Sequence, residues 1–279
     1  MLAESGGALD RALAEDCMNP GFTRDGDRVA EPSSAFAQTL NAAVSIGVVI
    51  QERGRLERDA GCTAKTYAEF CDWAHTRLVG LDSSAKDAVL LETYAWLVAE
   101  GVRQGSVGWV QQWTPDAFAD AADKALPEGD DDDGQRRMNR TKLPAWRRWL
   151  IALGLYVPMP TPAQPHPSPE SRLSRELREL GSEEAGNWPA DMFVMHLARR
   201  MPYLDGGRMY TNAAKRMGLA AGERRLSPLL SAALRGLHDE GSLTLHFLGD
   251  AAGFLQLWPD RTHRLQAFHA VQLNAGASA

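Results

Sequence analysis

Positive side chains cluster in the last third of the chain, at a spacing that suits contacts with a phosphate backbone. Four of them flank the turn before a predicted helix and are Lys215, Arg216, Arg224 and Arg225, and Arg208 is a further predicted contact. Arg and Lys at the turn of a helix-turn-helix contact DNA phosphates, which positions the protein without reading the sequence. On the helix that follows, Ser231 and Arg235 are predicted to face a groove.

The charge balance supports a local rather than a general attraction for DNA. From Asn187 to Leu265 there are ten Lys and Arg against seven Asp and Glu, a net +3, whereas the whole chain carries −6. The stretch "SPLLSAALRG" has few of the Asn, Gln and Arg side chains that read base edges. We therefore expect mostly non-specific backbone binding that weakens steeply with salt.

Residues suited to catalysis or metal binding do not form a recognisable motif. Phosphate-loop, dinucleotide-binding, H-E-x-x-H and G-x-S-x-G patterns are all missing from the sequence. Cys71 and His75 lie four residues apart, and with Cys62 they offer three metal-ligand types. Cys71 also belongs to the apolar stripe of its helix, and no fourth ligand has a suitable spacing. The sequence predicts no catalytic residues, no metal and no cofactor.

The elements that hold the basic cluster are predicted by capping and alternation. Ser227 and Pro228 start a helix, and Gly241 ends it. "SLTLHFL" and "FLQLW" then alternate in hydrophobicity around the turn "GDAAG", which predicts a hairpin with its wing between Leu245 and Leu255. Two helices are predicted upstream, within 187–201 and 206–219, and the final "THRLQAFHAVQL" alternates like a strand. Three helices followed by a hairpin are typical of a winged helix.

The same order recurs twice. Ser33–Asp59 reads as a capped helix, a glycine stop at Gly47 and two short strands around Arg53 and Gly54. Lys142–Pro160 reads as a tryptophan-rich helix, a glycine stop and a strand stub. The predicted fold class is mainly α (α+β), with tandem winged helix-turn-helix units joined by a Pro-rich linker.

Four segments are predicted along the chain. Residues 1–62 form an N-terminal winged-helix-like unit that is short at its start, and 63–160 a helical or degenerate winged-helix domain. Residues 161–186 form a Pro-rich linker with a short charged helix, because prolines crowd the stretch from Val157 to Arg172. Residues 187–273 form the C-terminal winged-helix domain.

Composition places the chain among ordinary globular proteins. Of its 279 residues, 44% are hydrophobic and 24% charged. Three widely spaced cysteines favour reduced thiols, and hence a cytoplasmic location. The N-terminus does not read as a signal peptide, and no apolar window is long enough for a membrane span.

The layout of successive units, the segment "LPAWRRWLIALGLY" and the closing "RMPYLDGGRMYTNAAKRMGL…RLSPLLSAALRGLHDEGSLTLHFLGDAAGFLQL" resemble the DpdG-type accessory proteins of bacterial defence islands. Those islands insert 7-deazaguanine bases into DNA and restrict unmodified DNA. The resemblance implies a non-enzymatic subunit that helps neighbouring helicase, nuclease or modification proteins to meet DNA. The N-terminal unit departs from the layout because it lacks a full first helix-turn-helix.

Several functions follow from these observations and remain open. The first is a DNA-associated adaptor of an anti-phage defence system, whose partners are other proteins of that system and the backbone of duplex DNA. The second is a winged-helix protein-interaction scaffold of the kleisin-binding type, compatible with a homodimer, or a transcriptional regulator. The third is a nuclease with an unrecognised metal site, for which no particular carboxylate stands out.

Overall fold

The structure, a computed structural model, describes residues 2, 6–19, 21, 35–128, 136–160, 163–183, 186–219, 224–249 and 253–274. Within these ranges helices predominate and short antiparallel sheets accompany them, so the predicted α+β class is confirmed. The chain divides into two compact units, Met1–Gly80 and Leu81–Ala279. None of the helices described is long and apolar enough to cross a membrane.

The first unit follows a strand–helix–helix–strand–strand order and ends in a helix. Its elements are β1 Ala8–Asp10, α1 Arg11–Met18, α2 Ala35–Ser45, β2 Val49–Glu52, β3 Arg55–Arg58 and α3 Tyr67–Val79. The strands form an antiparallel sheet of order β1-β3-β2. The predicted helix, glycine stop and two strands of Ser33–Asp59 are confirmed, with Gly47 at a φ of 75°. The serines proposed as its cap lie outside the described residues.

The core of the first unit lies between the sheet and the first two helices. Its buried members are Ala14, Phe36, Leu40, Val49 and Leu56. Phe36 and Leu40 are four residues apart, so they fall on one stripe of α2 and pack on the inner face of the sheet. Asp10 starts α1, because its Oδ1 accepts a hydrogen bond from the Ala12 N–H at 2.8 Å.

The second unit begins with a helical half. Its elements are α4 Val89–Gln104, α5 Trp109–Gln112, α6 Pro115–Ala125, α7 Leu143–Ala152, β4 Tyr156–Val157, β5 His166–Pro167 and α8 Glu170–Glu183. α4 is buried over most of its circumference. Rings of Trp96, Trp109, Phe118 and Trp146 pack in contact, with Trp96 and Phe118 centroids 5.1 Å apart. The tryptophans of this half therefore serve the core.

The Pro-rich stretch lies within the second compact unit, and its role as a linker stays a prediction. Tyr156 and Val157 pair across it with Pro167 and His166. The charged helix predicted after it is α8, which packs against the predicted DNA-facing helix and buries an apolar stripe that includes Leu173 and Leu177. The pairing of β4 with β5 and the buried face of α8 attach the residues around this stretch to the rest of the unit, whereas composition alone indicated an extended linker. The finer division into 1–62, 63–160, 161–186 and 187–273 stays a prediction.

The C-terminal half of the second unit repeats the sheet order of the first unit. Its elements are β6 Asn187–Pro189, α9 Ala190–Arg200, α10 Arg208–Arg216, α11 Pro228–Asp239, β7 Leu243–His246, β8 Leu255–Gln256, β9 Ala267–Phe268 and β10 Ala270–Leu273. The main sheet has the antiparallel order β6-β10-β7. As in β1-β3-β2, the last strand lies between the other two.

The hairpin predicted between "SLTLHFL" and "FLQLW" is wrong. β7 pairs with β10, so that Leu245 lies opposite Val271. Both edges of β8 are occupied elsewhere, because it pairs with β9 on one side and bonds through Gln256 to Arg224 and Leu226 on the other. A strand has only two hydrogen-bonding edges, so none remains for β7. The strands predicted to form the wing between Leu245 and Leu255 therefore do not pair with each other.

Candidate nucleic-acid interface

The helix predicted to face DNA starts at the predicted residue and is tied to the preceding loop. Ser227 caps α11 by accepting a hydrogen bond from the Leu230 N–H at 3.2 Å. Asp205 in turn accepts from the Ser227 N–H at 2.5 Å and from its hydroxyl at 2.7 Å. Burial raises the pKa of Asp205, and the Ser227 hydrogen bonds oppose that shift. A buried carboxyl group in the connection between α9 and α10 thus fixes the N-cap residue of α11.

α11 is buried on most of its surface, which corrects two predicted contacts. Ser231 is 0% exposed and Arg235 6% exposed. The Ser231 hydroxyl accepts from the Trp258 N–H at 2.7 Å, and Arg235 donates to the Leu265 carbonyl at 2.9 Å. Both side chains satisfy backbone groups inside the fold, so neither faces a groove.

The cations of α10 divide into exposed and anchored members. Arg208 and Lys215 are exposed, and Arg208 donates to the Leu81 carbonyl at 3.2 Å. Arg216 lies 3.3 Å from Glu92, a carboxylate only 1% exposed. Burial raises the pKa of Glu92, and the Arg216 charge opposes that shift. Arg216 therefore balances a buried acid, and the charge of Arg208 contributes to the same balance, while Lys215 presents its charge to solvent.

Arg224 and Arg225 are exposed, and each is oriented by partners that sequence reasoning missed. Arg224 donates to both carboxylate oxygens of Asp191, at 2.9 and 2.8 Å, and to the Gly253 carbonyl at 2.9 Å. Its φ of 38° is left-handed, a conformation held here by these hydrogen bonds. Arg225 donates to Gln256 at 2.8 Å, and its guanidinium lies 6.0 Å from the Trp258 ring centroid.

Arg136 and Arg140, which precede the tryptophan-rich helix α7, are each paired with acids. Arg136 forms ion pairs with Asp120 at 2.8 Å and with Asp123 at 3.2 Å, and Arg140 lies 3.5 Å from Asp116. These acids lie on α6, so a charge cluster in sequence becomes a mixed surface in the fold. Paired with acids in this way, the two arginines offer little net attraction for phosphate.

Exposed apolar side chains, here called the tip, lie between β7 and β8 in the sequence. Phe247, Leu248 and Phe254 are 49%, 61% and 41% exposed, and the two phenylalanine rings meet edge to face with centroids 6.3 Å apart. These three residues lie where the sequence predicted the wing. The only sequence signal for the tip was the run "HFLGDAAGF", in which apolar residues flank the turn.

The metal-ligand candidates are packed in the first unit. Cys62 and Cys71 are free thiols and both are buried, as is His75. Among the described residues, no three or more His, Cys, Asp or Glu side chains are grouped to hold a metal ion. The prediction of no metal site stays a prediction.

A cleft of about 420 Å³ borders α11 at Ala232, the exposed residue in the middle of that helix. His166, Glu170 and Asp260 line it together with Trp258. Burial lowers the pKa of His166 and raises that of Glu170, to which the charge of Glu240 adds. The open face of α11 is therefore turned to a cleft within its own unit, too small for a DNA duplex.

Comparison with known proteins identifies a family. A family model described as DpdG-like matches residues 1–251 of the 279. No curated protein matches the chain. No solved structure matches it either.

Proposed function

The chain belongs to the DpdG-like family, and we propose that it is a non-enzymatic adaptor of a bacterial system that inserts 7-deazaguanine bases into DNA and restricts unmodified DNA. In this role the protein brings other proteins of the system to duplex DNA. The resemblance supports the system, and the shape of the two units supports the adaptor role.

The observation that carries the proposal is the repeated sheet order. Both β1-β3-β2 and β6-β10-β7 place the last strand between a strand that precedes the helices and a strand that follows them. With helices between the first and second strands, this is the arrangement of a winged helix. We therefore interpret both as winged-helix units, the second carrying a long insertion between its last two strands.

Backbone contacts are proposed for the exposed cations of the C-terminal unit. Arg208, Lys215 and Arg225 present guanidinium or ammonium groups to solvent, as phosphate contacts require. Arg216 and Arg224 are already balanced by Glu92 and Asp191, so we propose a weaker share for them. Removing one cation that binds a phosphate should reduce the log–log slope of affinity against salt by about one.

The test is duplex binding by the full-length protein with charges reversed. The double change Lys215→Glu and Arg225→Glu should weaken binding of a labelled random-sequence duplex at low salt and flatten the salt dependence. Arg178→Glu, at an exposed position of α8, provides the matched control. Equal affinities of the double variant and the control, with the fold intact by circular dichroism, would remove these contacts from the proposal.

A protein-interaction scaffold is the second candidate, and the burial of α11 favours it. A winged helix whose third helix is covered cannot place that helix in the major groove. The exposed tip of Phe247, Leu248 and Phe254 is the kind of aromatic surface that partner proteins cover. Mass measurement by light scattering after size exclusion, with and without DNA, separates the two: a dimer that ignores DNA supports the scaffold.

A further inference from the structure

In the first unit, one face of helix α2 is exposed to solvent. Phe36 and Leu40 point into the core, and the opposite side of α2 carries Gln38, Asn41 and Ser45 at helical spacing. All three of these residues are exposed. Ala37, also exposed, and Ala42, half-buried, flank them and add little bulk. α2 thus differs from α11, which occupies the same place in the second unit but is covered.

The uncharged amide, hydroxyl and methyl groups of this face are more typical of a surface that contacts base edges than of a face exposed only to water. Solvated helix faces usually carry charged side chains, yet the sequence from Pro32 to Gln51 contains no charged residue, in a chain that is 24% charged. Asn and Gln amides bond adenine in the major groove through its N6 and N7, and an alanine methyl contacts the thymine methyl group. A helix without carboxylates also approaches phosphates without repulsion.

The hairpin next to α2 supplies a separate signal. Its two-residue turn has left-handed backbone at both positions, with φ of 46° at Arg53 and 83° at Gly54. Such turns favour Asn or Asp before the glycine, so an arginine here is held at a conformational cost. Arg53 is exposed at the tip, whereas Arg55 lies opposite Glu52 in the strand register. Arg53 is therefore placed for an intermolecular contact.

We infer that the first unit binds duplex DNA, with the Gln38–Asn41–Ser45 face of α2 in the major groove and Arg53 on the backbone beside it. The inference rests on the proposed DNA association and moves base contact from α11 to α2. Duplex DNA is the partner because its major groove admits a helix, while the major groove of duplex RNA is too narrow for side chains to read.

The experiment measures binding of the full-length protein to a fluorescein-labelled random-sequence DNA duplex and to the RNA duplex of the same sequence. Asn41→Asp keeps the size of the side chain and places a carboxylate in the groove, so DNA affinity should fall about tenfold. Gln112→Glu makes the same amide-to-acid change at an exposed position of α5 and should leave affinity unchanged.

A second variant separates folding from binding. Arg53→Asn puts a favoured residue in the left-handed position, so thermal stability should hold or rise while DNA binding weakens and its salt slope falls by about one. Arg261→Asn, an exposed loop residue of the second unit, serves as control. The two variant–control comparisons do not depend on each other.

The outcomes distinguish failure of the inference about α2 from failure of the proposed function. Duplex binding by the wild type that survives both Asn41→Asp and Arg53→Asn overturns the inference and leaves the proposed function standing. No duplex binding by the wild type overturns both. RNA binding as tight as DNA binding overturns the major-groove placement of α2.

Discussion

Replacing Ser231 by alanine tests whether the middle of α11 serves the fold or the DNA. The Ser231 hydroxyl is 0% exposed and accepts the Trp258 N–H at 2.7 Å. Ser231→Ala removes this acceptor and leaves an unpaired N–H, which costs about 1–3 kcal/mol in the free energy of unfolding. Trp258 is only partly buried, so water can reach its backbone and the loss should lie near the lower end of that range.

Urea unfolding followed by tryptophan fluorescence measures this loss. In a domain of this size each kcal/mol lowers the melting temperature by about 2–4 °C. Ala232→Ser adds a hydroxyl at the neighbouring exposed position and should stay within about 0.5 kcal/mol of the wild type. Duplex affinity should be the same in both variants. A Ser231→Ala protein with unchanged stability and weakened DNA binding would refute the internal role and restore the groove-facing one.

Three further changes test other parts of the structure. Asp205→Ala should lower the free energy of unfolding by about 2–4 kcal/mol, because the N–H and hydroxyl of Ser227 lose their buried acceptor. Calorimetry of Asp205→Ala and Asp205→Asn shows how much of this stability a neutral acceptor restores. Phe36→Ala should lower the free energy of unfolding of the first unit by about 3–5 kcal/mol, so that this unit unfolds at a lower urea concentration. A urea midpoint equal to that of the wild type would contradict the assignment of Phe36 to the core. The pKa of Glu170 is raised by burial above its ordinary value of 4.5, so its contribution to stability is present below that pH and is lost as the pH rises. Glu170→Gln should therefore unfold at higher temperature near neutral pH and lose this advantage in acid; parallel melting curves at both pH values would argue against it.

Local patterns in the sequence determined much of the secondary structure. Ser227 and Pro228 begin α11, and Gly241, with a φ of 77°, ends it, as capping chemistry predicted. The Arg53–Gly54 turn and its two strands are also where alternation placed them. These features depend on residues within a few positions of each other, so the sequence contains the information needed to predict them.

The candidate site was less predictable, because its geometry depends on distant partners. The sequence predicted that Arg216 contacts phosphate, but Arg216 forms an ion pair with Glu92 on α4 at 3.3 Å. Sequence also placed Arg235 on an open helix, whereas the Leu265 carbonyl accepts its hydrogen bonds. Periodicity shows that a helix has an apolar side, but not how many neighbours will cover its other sides.

The sequence by itself determined the α+β class, the two ends of α11 and the glycine stops at Gly47, Gly154 and Gly241, because each follows from local backbone and capping energetics. Only the tertiary structure decided strand partners and exposure. Leu255 has the pattern of a strand, but its pattern fits β7 and β9 equally, and the choice depends on which edges the rest of the fold leaves free. Exposure is likewise a property of the assembled chain, which is why α2 keeps an open polar face while α11 is buried.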